Sequence, residues 1–143
     1  MFLGRRVERW GVALVGATAL HAGFQLTVSA VVYPALSELA PADWKRAHAA
    51  HSRRISSLVG LVYPAVATAA VGRLRAAPDG PALLATACSA MAVALTAGVA
   101  APLHGRLAGG HDPVLVRRLL LADRGRSALA LAALVAAVAA VRP

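Results

Sequence analysis

His48 and His51 stand three residues apart, His104 follows in a later apolar stretch, and Arg54 and Arg126 are the arginines nearest them in the expected bundle. Two imidazoles at this spacing share one face of a helix. Imidazole is a common metal ligand, while the planar guanidinium fork of Arg54 suits an anion. Joined by His104 from another helix, His48 and His51 would form a three-imidazole metal site with one position open for water or substrate. An HxxH pair at a membrane interface is more often a solvated or hydrogen-bonded surface pair, so spacing alone assigns neither metal nor cofactor.

A second constellation lies earlier in the chain. His21 and Gln25 are four residues apart, on one helical face that Ser29 continues. Ionisable groups at mid-membrane usually face the interior of a bundle. Two readings stand side by side: a catalytic role for His21, or an interhelical hydrogen bond contributing ~0.6 kcal/mol. Twelve residues separate His21 from Tyr33, or ~18 Å of helix, which keeps His21 away from the other imidazoles. Tyr63 is expected at a depth similar to that of His21. Arg54 is expected to pair with Asp112 or Asp123, to hold an anionic headgroup or to bind an anionic substrate, with snorkelling to the surface as the plain alternative. Gln25, Tyr33, Tyr63 and Asp112 are the candidate substrate contacts. No Ser/His/Asp order, P-loop, GxGxxG or pair of intramembrane carboxylates is present, which speaks against a pump or proton-driven carrier.

These side chains need helices in lipid to position them. Of 143 residues, 59% are hydrophobic and 15% charged, against ~45–50% and ~25% in soluble domains. Between Trp10 and Leu36 the only charge-capable side chain is His21, and no formal charge occurs in 55–72, 80–105 or 127–141. A spanning helix needs ~20 apolar residues. The first three runs reach that length, and the fourth does so only with Leu119–Ala122 added, bringing Asp123, Arg124 and Arg126 near an interface. The expected fold is all-α: a single integral-membrane four-helix bundle with helices at about 9–36, 42–73, 81–103 and 114–141. Short Pro/Gly turns make neighbours antiparallel, and Pro64 predicts a kink in the second helix. This order gathers Tyr33, His48, His51, Arg54, His104, Asp123, Arg124 and Arg126 at one end.

The net charge of +9 sits in the segments flanking the apolar runs. There it fits headgroups and topology rather than nucleic acid. Arg5, Arg6, Arg9, Arg73, Arg75 and Arg142 would lie on one side of the membrane and nine Lys and Arg residues on the other, which leaves orientation open. The single Cys88 excludes an internal disulfide framework.

Tyr33-Pro34-x-Leu36, His48-x-x-His51-x-x-Arg54-Ile55, Pro102-x-His104-x-x-Leu107, Gly110-x-Asp112 and Arg126-Ser127 occur in that order. The pattern resembles a group of small four-helix bacterial membrane proteins related to the membrane family that includes fungal anthrone oxygenases. Asp123-Arg124 replaces the Asn-Trp pair common before the arginine, and the downstream tryptophan is absent. The resemblance implies a bundle that handles a lipophilic small molecule near one membrane face, by an oxygenase-like activity or by proton abstraction with His as base and Arg stabilising the anion, with His48, His51, His104, Arg54 and Arg126 as the matching polar residues. On this footing the expected protein is an enzyme of the bacterial inner (plasma) membrane, oxidoreductase or acid–base. Its partners are the bilayer and a lipophilic small molecule, without nucleic acid. The alternative is a non-catalytic accessory or lipid-binding protein.

Overall fold

The computed structural model describes residues 2–141; Arg142, counted above among the basic flanks, lies outside them. Four helical rods account for nearly all of this span, and no strand occurs among the described residues. The first rod is α1, Phe2–Thr27, which passes through a π turn at Val28–Val32 into α2, Tyr33–Ser37. The second is α3, Pro41–Ala76. The third is α4, Gly80–Leu95, continued by a π turn at Thr96–Ala100 into α5, Ala101–Leu107. The fourth is α6, Pro113–Ala139.

Local chemistry sets these limits. Pro41, Pro81 and Pro113 occupy first-turn positions, where the missing N–H costs nothing. Asp79 accepts the Ala82 N–H at 2.8 Å and caps α4. Asp112 accepts the Val114 and Leu115 N–H groups at 2.8 and 3.1 Å and caps α6. The π turns have a common cause. Pro34 and Pro102 cannot bond four residues back, and their rings crowd that carbonyl. The residue before each proline bonds five back instead, Tyr33 N–H to Val28 O and Ala101 N–H to Thr96 O. Pro64 has no such wide turn: α3 is one continuous α-helix through it.

α1 packs on α3 and α6, and α4 packs on α6. Buried Ala82, Ala85, Ser89 and Ala92 line one face of α4, while Ala130, Ala133 and Ala137 line a face of α6. Small side chains at this spacing let two backbones approach closely in lipid. With Leu14, Ala69 and Ala70, they make the end of the bundle near the α3–α4 turn a tight alanine seam. The other end is filled by larger groups, among them Tyr33, Leu36, Trp44, Leu103, Leu107 and Leu119. There α3 has no extended contact with the second π turn or α5. Three rods, Arg5–Ser37, Pro41–Ala76 and Gly80–Leu107, are long and apolar enough to cross a membrane. α6, with its internal Arg and Asp residues, completes the bundle by packing against α1 and α4.

Candidate functional site

Arg126 sits at the middle of α6 and is 5% exposed. Asp123, one turn earlier and also buried, accepts its guanidinium at 2.7 Å. The same Asp123 oxygen accepts the Gln25 amide at 3.4 Å, and its other oxygen accepts the Ser29 hydroxyl. Ser29 also meets Ser127 at 2.7 Å. An arginine carboxylate pair taken out of water is tolerable only when its remaining lone pairs and protons are bonded. Gln25 and Ser29 from α1 and the adjoining π turn supply those bonds.

The guanidinium reaches outward as well. Arg126 Nη2 lies 3.2 Å from the Tyr33 hydroxyl, and Nη1 lies 3.4 Å from Thr96 Oγ1. Tyr63 joins at Thr96, 2.6 Å away. Tyr33 Oη is 3.2 Å from His104 Nε2, and His104 Nδ1 is 3.1 Å from His48 Nε2. Proton positions follow from donor chemistry. Arginine only donates, so Tyr33 accepts from Arg126 and gives its own proton to His104 Nε2. Neutral His104 then carries its proton on Nδ1 and donates to His48. The chain runs in one direction, Arg126 to Tyr33 to His104 to His48.

His48 stacks on Trp44, ring centroids 5.4 Å apart, and the Trp44 indole donates to the Leu107 carbonyl at 2.9 Å. The same carbonyl, at the end of α5, also accepts the Gly110 N–H at 3.2 Å. His51 stands 5.5 Å from His104 by ring centroid and 6.1 Å from Tyr33, with no hydrogen bond to Nε2 among the described residues. The sequence expectation that His48, His51 and His104 converge with Tyr33 thus corresponds to observed geometry. Both His104 nitrogens are committed to hydrogen bonds. Among the described residues, no group of three or more His, Cys, Asp or Glu side chains is arranged to hold a metal ion.

Other candidates lie elsewhere. Arg54 is exposed and makes no hydrogen bond or ion pair among the described residues; the α3 face that carries it turns away from the cluster. Its expected partners are engaged otherwise, Asp112 as a helix cap and Asp123 with Arg126. Asp112 is therefore spent on α6 rather than placed in the cluster. His21 is fully buried, edge-on to Tyr63 at 5.3 Å, and neither ring nitrogen has a hydrogen-bond partner among the described residues. The polar network also extends far inward from the α2–α3 end, to the midpoint of α6, so it is not confined to the rim of the bundle.

Sequence reasoning placed Asp123 at this end but as a partner for Arg54 rather than for Arg126, and it overlooked Thr96 as the link between Tyr63 and Arg126. The signal for the first was present: Asp123-x-x-Arg126 puts opposite charges on one face of a helix whose surroundings are apolar.

A cavity of about 270 Å³ opens beside this network. Phe24, Val28, Ile55, Val59, Ala100 and Ala101 form its apolar wall, and Gln25, Tyr33, Ser52, Thr96, His104 and Arg126 supply its polar groups. Among known proteins, no family model, curated sequence or solved structure matches this chain.

Proposed function

We propose that this chain is an enzyme of the bacterial plasma membrane that removes a proton from a lipophilic phenol or carbon acid. The observation that carries the reading is the directed chain Arg126–Tyr33–His104–His48 on the wall of an apolar cavity. A substrate O–H or acidified C–H next to Tyr33 passes its proton to the Tyr33 oxygen as Tyr33 passes its own to His104 Nε2. The resulting imidazolium has both N–H groups already aimed at acceptors, Tyr33 and His48. The substrate anion is left beside the Arg126 guanidinium, whose charge is fixed before the reaction begins. Asp123 holds that guanidinium in place, and the apolar wall keeps water from competing.

The anion is also the form that dioxygen attacks, which supports an oxygenase-like outcome. For a methylene carbon acid, one O₂ is consumed, the CH₂ becomes C=O and one water is released. Protein in lipid nanodiscs, given 2-tetralone or 2-indanone in deuterated buffer, is expected to speed deuterium incorporation, with oxygen uptake following where oxidation occurs. Tyr33→Phe and the charge-balanced Asp123→Leu/Arg126→Met should remove both signals while the bundle stays helical. Unaccelerated exchange with wild-type protein for every carbon acid tried, together with saturable binding, would favour the lipid-binding alternative.

A further inference from the structure

The cavity wall is open on one side. α3 is tied to the third rod at two levels, by Tyr63–Thr96 at 2.6 Å and by His48–His104 at 3.1 Å. These levels are fifteen residues apart on α3, ~22 Å of helix, and between them α3 has no extended contact with the π turn or α5. Ser56 and Ala101, both exposed, stand on the two lips of the gap. At the loop end, the Trp44–Leu107 bond and the stacked His48 ring close the way in. Both helices that frame the gap are long and apolar enough to cross a membrane. Both lips also fall in charge-free runs, Ser56 in 55–72 and Ala101 in 80–105, which sets the gap at the edge of the apolar span.

Inside, Gln25 Oε1, Arg126 Nε and Ser52 Oγ have no hydrogen-bond partner among the described residues, and all three side chains line the cavity. Gln25 is 0% and Arg126 5% exposed. Both bond the same Asp123 oxygen, so a free acceptor and a free donor lie near one another. A hydroxyl, which gives one hydrogen bond and takes others, complements such a pair. Leaving such a pair unmatched is costly. Volume sets the size of the rest. A dry cavity of ~150 Å³ holds benzene, and about 270 Å³ is somewhat less than double that. Two fused rings fit, and three exceed it.

Resting on the reading of the site given above, we infer that the ligand reaches it sideways from the bilayer, through the gap between Ser56 and Ala101, and carries an aromatic alcohol of two fused rings. Any hydrocarbon tail on such a ligand stays in lipid while the head is bound. The probes are phenol, 1-naphthol and 2-hydroxyanthracene, added to nanodiscs with and without the full chain, with saturable binding and association rate as readouts. 1-Naphthol should bind once per chain and about tenfold more tightly than either of the others, after correction for partitioning into lipid. Ser56→Trp and Ala101→Trp, both at exposed positions, should slow association at least about tenfold with the helical circular dichroism unchanged, while Leu61→Trp on the exposed face of α3 should not. Unchanged rates in both lip variants would overturn sideways access and leave the site reading intact. Equal or tighter binding of the one-ring or three-ring probe would overturn the head size. Absence of saturable binding for all three would remove the site reading and this inference together.

Discussion

Asp123 and Arg126 face each other at 2.7 Å, one turn apart on α6, with neither side chain reaching solvent. The pair is the hub from which the Ser29, Gln25, Tyr33 and Thr96 contacts radiate. Removing one member leaves the other charged and buried. Asp123→Ala should therefore destabilise the bundle by about 3–5 kcal/mol. Asp123→Leu/Arg126→Met, which removes both charges, should cost markedly less than the sum of the single changes. Unfolding by detergent titration, followed by helical circular dichroism, gives both values.

Tyr33→Phe isolates a single oxygen. The ring keeps its packing, but Arg126 Nη2 and His104 Nε2 each lose a partner. A stability loss of about 1–3 kcal/mol is expected, with proton exchange on a carbon acid falling to the uncatalysed rate. Retained exchange in this variant would show that His104 takes the proton without Tyr33.

Gly72 and Gly60 lie on the same helix and predict opposite outcomes. The Trp10 ring lies where a Gly72 side chain would begin, whereas nothing stands within 4 Å of a Cβ placed on Gly60. Gly72→Ala should destabilise by about 1–3 kcal/mol through overpacking. Gly60→Ala should be neutral or stabilising by up to about 1 kcal/mol. The same detergent titration compares them.

The α3–α4 turn should respond to acid. Slight burial pushes the Asp79 carboxyl up, but the Ala82 N–H and the Arg73 guanidinium outweigh it and hold the group below its ordinary value of 3.8. A carboxyl depressed in the folded state contributes stability above its ordinary value and loses it as pH falls through the lower, folded value. Stability of wild type should thus drop below about pH 4 more steeply than that of Asp79→Asn. Parallel acid titrations of the two proteins test this, with identical slopes counting against it.

The helices were legible because lipid imposes a blunt requirement. Charge-free runs of spanning length mark three rods directly, and the caps Asp79 and Asp112 beside Pro81 and Pro113 mark two starts. The meeting of His48, His51 and His104 was legible for a similar reason, since antiparallel order carries the start of the second helix to the end of the third. Arg54 shows where that logic stops. It follows His51 by three residues at helical spacing, yet it stands just ahead of the charge-free run 55–72, where an arginine gains by turning its charge to water. Asp123 fails in the other direction. Beside Arg124 and Arg126 it looks like part of an interfacial charge cluster, and only the contacts across to Gln25 and Ser29 reveal it as interior. Nor does any local pattern indicate that alanines would zip one end shut and leave the other ajar.

The two π turns carry a consequence for how this chain can change. A π turn is an α-helix with one residue too many, and each of the two sits just ahead of a proline and a site residue, Tyr33 in one rod and His104 in the other. Deleting a single residue from either, with its proline replaced, would let the ordinary ladder close. Everything beyond would then rotate by ~100°, swinging Tyr33 or His104 out of line with Arg126 while leaving a perfectly good transmembrane helix behind. The two surplus residues thus act as an index mark: they set the phase of the site, and a bundle without them would still fold but would present a different face to its own interior.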